Sequence, residues 1–238
     1  MTLSARGVAF RHAGPDGFAL PPTDLTVRGG RVTALVGPSG SGKTTLAHLL
    51  AGLLAPTAGT VTVTDEPGAL TDGPGVREVR RRRGRLPGHT ALLDQDPMAS
   101  ADPRMTLRRM IALPGRLRGS PVDVGALARE VGLDPGLLDR RPGQVSGGQL
   151  HRACLARALA QRPRYLIADE PTAHLDPEST NAIAGVLRAR ADGGLGVLAI
   201  THDQRLAADW ADVVHTIGAG ASGASSARRR SAGPRPRC

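Results

Sequence analysis

A glycine-rich loop between two apolar segments is the feature that most limits what this chain can fold into. Residues 31–36 read RVTALV, residues 37–44 read GPSGSGKT, and TLAHLLAGLL follows. A β-branched run, a glycine loop and an apolar periodic stretch predict a strand, a tight turn and a helix in that order. The loop fits the pattern G-x-x-x-x-G-K-[ST] in full, which predicts a phosphate site made of backbone N–H groups at the start of a helix.

The residue types in the loop indicate a bound nucleotide with Mg²⁺. Lys43 is placed to reach the β- and γ-phosphates, and the Thr44 hydroxyl is placed to bind the metal ion. Lys43 is also the only lysine of the chain, which suggests a need for a compact ammonium where a planar guanidinium would not fit. The alternative, a glycine turn with an incidental lysine, is disfavoured by the flanking strand and helix. The predicted nucleotide-binding residues of this segment are Gly37, Pro38, Ser39, Gly40, Ser41, Gly42, Lys43, Thr44 and Thr45.

An acidic pair follows a second apolar run, 165–168, and suggests hydrolysis rather than binding alone. We expect Asp169 to hold Mg²⁺ through water and Glu170 to polarise the attacking water. The alternative is that the pair marks a helix start before Pro171. The phosphate loop elsewhere in the chain favours the hydrolytic interpretation.

Strand and helix signals alternate along the chain and predict an α/β fold with a parallel sheet. A third apolar run, 197–200, precedes the residues THD. Functional groups are expected beyond the carboxyl ends of such strands. The stretch from about Met105 to Arg141 has helical patches and no strand signal, so we expect a helical insertion. The predicted division is a core of 1–94 and 143–218, a helical subdomain of 95–142, and a disordered arginine-rich tail of 219–238.

The composition of the chain argues against nucleic-acid binding. The net charge is +10, but five of the arginines lie in the tail, and aromatic residues make up only 2% of the chain. A stacking platform for single-stranded nucleic acid is therefore not expected, and the arginine-rich run 77–85 is expected to be a solvated face.

The apolar runs are shorter than the roughly 18 to 20 residues that span a bilayer. The N-terminal sequence lacks the apolar stretch of a secretory signal. We therefore expect a cytosolic chain, with Cys154 and Cys238 as free thiols and Cys154 buried in a helix.

A second site for negative charge is predicted at VSGGQ, residues 145–149. Ser146, Gly147, Gly148 and Gln149 lead directly into a helix expected over 150–160, where a hydroxyl and backbone amides can face an anion. Two such helix starts exceed what one γ-phosphate needs. We therefore expect the second to contact a nucleotide bound to a neighbouring subunit.

With these motifs in order, the chain resembles the ATP-binding subunits of ABC transporters over about residues 1–218. GPSGSGKT resembles the Walker A loop, VSGGQ the signature and YLIADE the Walker B strand. Gln95 matches the Q-loop glutamine, residues 174–176 (His-Leu-Asp) lie inside the D-loop, and His202 matches the switch histidine. The resemblance implies a RecA-like P-loop NTPase core with a parallel sheet, an antiparallel β edge and an inserted α-helical subdomain.

The family likeness also implies roles for individual residues. Gln95 would sense Mg²⁺ and the attacking water, and His202 would contact the γ-phosphate, so that Glu170, His202 and Gln95 are the implied catalytic group. Thr44, Gln95 and Asp169 are the implied metal ligands. The position that usually stacks on adenine is His12 here, with Phe18 as an alternative. Val145 replaces the usual leucine of the signature, and AHLD replaces the frequent SALD of the D-loop.

The same likeness implies ATP and Mg²⁺ as cofactors and a set of partners. These are a second ATP-binding subunit in a head-to-tail homodimer or heterodimer, two transmembrane permease subunits and an extracellular substrate-binding protein, with no nucleic acid. The implied location is the cytoplasmic face of the cell membrane, as a peripheral subunit. The sequence of residues 94–106 (DQDPMASADPRMT) is similar to the Q-loop sequence of the dipeptide, oligopeptide and nickel importers. Two alternatives are a soluble ABC ATPase acting on ribosomes or DNA and a regulatory module without turnover.

Overall fold

Strands and helices alternate along most of the chain. The computed structural model describes residues 1–11, 19–64, 76–78, 90–172 and 177–218. The strands are β1 (Thr2–Arg11), β2 (Ala19–Arg28), β3 (Val32–Val36), β4 (Ala58–Thr64), β5 (Val76–Glu78), β6 (Thr90–Leu93), β7 (Tyr165–Asp169), β8 (Gly196–Thr201) and β9 (Val213–Thr216). The helices are α1 (Lys43–Leu50), α2 (Pro97–Ser100), α3 (Leu107–Leu117), α4 (Val124–Glu130), α5 (Gly147–Ala160), α6 (Pro177–Asp192) and α7 (Gln204–Trp210).

A parallel sheet has the strand order β6-β7-β8-β3-β9. Every residue of β3, β7 and β8 is buried, as expected for strands covered on both faces. The register places Asp169 on one side of Ile200 and Leu35 on the other. The carboxyl ends of β7, β8 and β3 therefore lie side by side.

The antiparallel strands form a sheet of their own, in the order β2-β1-β4-β5. With the parallel sheet and the helices, this architecture confirms the predicted α/β P-loop fold. Within the described part of the chain, every helix is too short or too polar to cross a bilayer.

The parallel sheet is the middle layer between two apolar clusters. Along β7, Tyr165 and Ile167 face the cluster that contains α1 and the antiparallel sheet. Leu166 and Ala168 face the cluster that contains α3, α5 and α6. This alternation follows from the period of two in a strand, and it fixes the direction in which each strand end presents its polar residues.

Helices fill the stretch between β6 and β7 in the described residues. Thr106 begins α3 by accepting a hydrogen bond from the Arg109 N–H at 3.3 Å, and Asp123 begins α4 by accepting one from the Ala126 N–H at 2.9 Å. Residues of α3 and α4 share one apolar cluster with α5 and the sheet. The boundaries 1–94, 95–142 and 143–218 remain predictions, and the tail 219–238 lies outside the described residues.

Gly196 offers a test of packing in the middle layer. A Cβ at this position would lie 2.6 Å from the Tyr165 ring, whereas a Cβ at Gly185 on α6 would meet nothing within 4 Å. We expect Gly196→Ala to lower the free energy of unfolding by about 1–3 kcal/mol through overpacking. Gly185→Ala should leave it unchanged or raise it by up to about 1 kcal/mol. Urea unfolding of both variants measures this, and equal midpoints would show that the ring is free to shift.

Candidate functional site

Four of the parallel strands end at one edge of the sheet, and the predicted site residues follow these ends. The phosphate loop follows β3, Gln95 follows β6, Glu170 follows β7 and His202 follows β8. Because parallel strands have their carboxyl ends on the same edge, the topology brings these segments together.

The phosphate loop curls tightly between β3 and α1. Gly40 and Gly42 have φ of 77° and 93°, a conformation that L side chains rarely adopt. A Cβ at Gly37 would lie 2.3 Å from the carbonyl oxygen of Ile217, so only glycine fits beside the end of β9. The Lys43 ammonium donates to the carbonyls of Gly37 and Pro38, both at 2.8 Å. The Lys43 ammonium thus lies against the loop that is predicted to bind the phosphates.

Thr44 and Asp169 join the loop to the end of β7. The Thr44 hydroxyl donates to Asp169 Oδ2 at 2.7 Å. Asp169 is 3% exposed, and this burial raises the pKa of its carboxyl, while the hydrogen bond from Thr44 opposes the rise. The two side chains predicted to hold Mg²⁺ are therefore in direct contact.

Glu170 and His202 form the second polar pair of the edge. His202 Nδ1 lies 2.9 Å and 3.0 Å from the two carboxylate oxygens of Glu170. The Glu170 side chain is 13% exposed and the His202 side chain 74%, so the glutamate is the sheltered partner. Glu170 itself has φ of 53°, in the left-handed region, which costs roughly 1–2 kcal/mol for a residue other than glycine. Its N–H donates to the Ile200 carbonyl at 2.9 Å, which helps to hold the turn.

Gln95 lies exposed after β6, directly before the Asp96 that begins α2. The neighbouring Asp94 was not singled out from the sequence, although its charge contributes to the raised pKa of Asp169. The sequence did contain a signal for Asp94, because this acidic residue directly follows strand β6 just as Glu170 directly follows strand β7. The structure thus adds one carboxylate to this edge.

The VSGGQ segment forms a helix start whose polar groups bond within their own turn. Ser146 Oγ accepts a hydrogen bond from the Gln149 N–H at 3.2 Å, and the Ser146 N–H donates to Gln149 Oε1 at 2.9 Å. The helix begins at Gly147 rather than near residue 150. The Ser146 hydroxyl is thus partly used as a cap, and its O–H remains a donor for a further acceptor. The short link between α5 and β7 places the start of α5 on the side of the carboxyl edge.

Some predicted positions lie outside the described residues. These are His12, Phe18, the D-loop residues 174–176 and the tail, together with the side chains of the run 77–85. Phe10 is half-buried against the core, and Cys154 is buried as predicted.

The Glu170–His202 pair gives a testable pH dependence. The hydrogen bond with Glu170 and the charge of that carboxylate raise the pKa of His202 above its ordinary value of 6.5. The charged pair is therefore complete below that ordinary value and is lost as pH rises through the raised pKa. NMR titration of the ring should give a pKa above 6.5 in the native chain and a lower one in Glu170→Gln. Identical titration curves in the two proteins would contradict the pairing.

Comparison with known proteins gives consistent matches. The model of the family described as ABC transporter matches residues 20–173. The methionine import ATP-binding protein MetN of Ralstonia nicotianae is 38% identical over 227 residues, covering 92% of this chain and 62% of that protein. The energy-coupling factor transporter ATP-binding protein EcfA2 of Streptococcus pyogenes is 32% identical over 227 residues, covering 92% of this chain and 79% of that protein.

Solved structures agree with these matches in fold. A bacterial ABC transporter cassette, solved as a dimer, has a TM-score of 0.77 with 23% identity, covering 91% of this chain and 94% of its own. The chain spans 62% and 56% of the length of two methionine import relatives. These relatives do not single out the dipeptide, oligopeptide and nickel importers, so that finer prediction is not confirmed. The chain belongs to the ABC transporter family and has the fold of its ATP-binding cassettes.

Proposed function

We propose that the chain binds and hydrolyses Mg·ATP as the ATPase subunit of an ABC importer. The observation that carries the proposal is the meeting of two polar pairs at one sheet edge. The Thr44 hydroxyl lies 2.7 Å from Asp169 Oδ2 beside the phosphate loop. In the neighbouring pair, His202 Nδ1 lies 2.9 Å from Glu170 Oε1. The first pair suits metal and phosphate binding, and the second suits the activation of water.

The hydrolytic roles follow from the chemistry of each group. The loop amides and the Lys43 ammonium would bind the phosphates of ATP, because these donors carry positive charge at the start of α1. Glu170 would accept a hydrogen bond from the attacking water and orient it. His202, held by Glu170, would donate to the γ-phosphate from its remaining ring nitrogen. Gln95, at the exposed end of β6, would contact the water and the metal from the side.

The oxygen atoms of this edge fit Mg²⁺. Mg²⁺ prefers hard oxygen ligands and commonly takes only one or two from the protein, with phosphate and water oxygens completing its octahedron. Thr44 and Asp169 supply a hydroxyl and a carboxylate oxygen in contact. Among the described residues, no group of three or more His, Cys, Asp or Glu side chains is placed to hold a metal. When bound with ATP, the ion would neutralise charge on the phosphates.

The dimer proposal rests on the helix start at VSGGQ. Its N-terminal amides have no partners within an α-helix, and Ser146 and Gly147 are exposed. These donors would cap the triphosphate of a second subunit, giving a head-to-tail arrangement with two shared sites. The adenine contact by His12 remains a prediction, and the family likeness further implies that Asp176 would bridge to the opposite subunit in this arrangement.

The proposal of import rests on the names of the matched relatives. For the cargo, the relatives and the sequence of residues 94–106 point to different molecules. The matched MetN proteins are methionine import proteins, which makes methionine the first cargo to consider. The sequence of 94–106 favours peptide or nickel instead. Either cargo would pass through two permease subunits, with an extracellular binding protein delivering it and this chain on the cytoplasmic face of the membrane.

Glu170→Gln tests hydrolysis. The amide keeps the shape of the side chain but is a poor base, so turnover should fall on the order of 100-fold or more. ATP binding should persist, and the subunits should accumulate as a closed dimer. Phosphate release and light scattering in the presence of Mg·ATP measure both effects. Normal turnover in this variant would remove Glu170 from the catalytic role.

Ser146→Arg tests the dimer. An arginine at this exposed turn should block the approach of a second subunit, abolishing cooperative hydrolysis while the monomer still binds ATP. Ala189→Arg is the matched control, because Ala189 is exposed near the end of α6, at the opposite edge of the sheet. The control should hydrolyse ATP as the native chain does. Equal turnover in the two variants would refute the shared sites.

A further inference from the structure

The short helix α2 comes one residue after Gln95, the exposed side chain proposed to contact the water and the metal. The four residues of α2, Pro97–Ser100, make about one turn, and an isolated helix of that length is not stable in water. The Asp96 carboxylate caps its start by accepting from the N–H groups of Met98 and Ala99, at 2.8 Å and 3.2 Å. The place of α2 is therefore set by its contacts with the rest of the fold.

Apolar burial does not supply those contacts. No residue of α2 is buried, and Met98 is 53% exposed. The nearest buried side chains are Leu93, at the end of β6, and Ala101, just after α2. Gln95 lies between these two points, in a segment whose own side chains are half-buried or exposed. The segment therefore depends on polar contacts for its position.

Arg157 of α5 supplies such a contact at the end of α2. Its guanidinium donates from Nη1 to the Ser100 carbonyl at 2.6 Å. The last carbonyls of a helix have no partner within the helix, so this bond satisfies a group that the short turn leaves open. Arg157 is half-buried, and a hydrogen bond from a charged donor is stronger than one between neutral groups.

Cys154 contacts both ends of α2 from the same face of α5. It precedes Arg157 by three residues, and residues three apart are neighbours on a helix surface. Its thiol donates to the Pro97 carbonyl at 3.8 Å, and its Sγ lies 3.7 Å from Ser100 Oγ. Hydrogen bonds of a thiol are weak. Among these contacts, the bond from Arg157 is therefore the main one.

We infer that Arg157 is a positioning residue for Gln95, which it holds in place through α2. The inference rests on the proposed function, in which Gln95 contacts the attacking water and the metal. Without the bond to Ser100, the backbone between Leu93 and Ala101 would gain freedom. The Gln95 amide would then spend less time in the orientation that the reaction requires.

The first test measures the order of α2 by hydrogen exchange, with no nucleotide present. The Ser100 N–H donates to the Asp96 carbonyl at 3.3 Å. The Ala101 N–H donates to the Met98 carbonyl at 3.4 Å. Exchange of these amides reports opening of the turn. Arg157→Met keeps an apolar stem and removes the donor, so exchange should become about tenfold faster.

Arg157→Lys gives a conservative comparison in the same measurement. The lysine ammonium keeps a charged donor on a stem of similar length, so it should recover part of the protection that Arg157→Met loses. Native exchange of residues 96–101 in Arg157→Met would overturn the inference.

Arg118→Met is the matched control. The Arg118 guanidinium donates to the Gln161 carbonyl, so it also joins an arginine to a backbone oxygen, at the end of α5 and not on α2. The control should show native exchange over residues 96–101 and native turnover. Equally fast exchange of these residues in Arg118→Met and Arg157→Met would indicate general loosening of the helices, and it would also overturn the inference.

The second test is a double-mutant cycle on ATP turnover at saturating Mg·ATP. Arg157→Met should lower kcat about tenfold. The affinity for ATP should stay native, because the phosphate loop is unchanged. Gln95→Ala should lower kcat at least as much, and adding Arg157→Met to it should cause little further loss, because Arg157 acts through Gln95. A second loss of about tenfold in the double variant would show an independent structural effect and refute the inference.

These outcomes separate the inference from the proposed function. If Glu170→Gln loses turnover as expected while Arg157→Met is native in exchange and in kcat, the proposed function stands and the inference falls. If the native chain fails to hydrolyse Mg·ATP, the proposed function falls, and the role of Arg157 toward Gln95 falls with it. The exchange measurement still shows in that case whether Arg157 holds α2, since it requires no turnover.

Discussion

The hydrogen bond between Thr44 and Asp169 is the contact on which the rest of the site depends. β7 and β3 are not neighbours, because β8 lies between them. A bond of 2.7 Å between their two ends therefore reaches across the end of β8, where His202 emerges. The parallel register makes this possible, since Asp169 and Leu35 lie opposite Ile200 on its two sides. The pairing of the strand backbones thus positions the phosphate loop, Asp169 and His202 in the absence of a ligand.

The charge at this edge is a physical reason why the proposed nucleotide site would need a cation. Asp94 and Glu170 both raise the pKa of Asp169 through their charge, in addition to the effect of burial. The charge of Glu170 also raises the pKa of His202. A triphosphate brought beside these carboxylates would add further negative charge. The Lys43 ammonium and the loop amides would offset part of it, and Mg²⁺ held by Thr44 and Asp169 would offset a further part.

Much of this fold could be predicted from the sequence because its signals are local. Apolar runs in the sequence predicted β3, β7 and β8, and the glycine loop predicted the start of α1. The left-handed backbone of Glu170 could not be predicted, because a glutamate carries no signal for positive φ. The early start of α5 was missed because Gly147 and Gly148 lack apolar periodicity. The contacts of Arg152 with Gly132 and with Ser179 join residues 20 and 27 positions apart, so they depend on packing and not on any local pattern.

Helix α5 connects the helical stretch after β6 with the first turn of α6. Arg157 donates to the Ser100 carbonyl at 2.6 Å, and Cys154 lies 3.8 Å from the Pro97 carbonyl, so α5 also holds α2 just after Gln95. The same helix carries Arg152, whose guanidinium donates to Ser179 Oγ at 2.6 Å. A continuous α-helix of 14 residues is stiff along its axis. The contacts at Pro97 and Ser100 and the contact at Ser179 are therefore tied together by one rigid element.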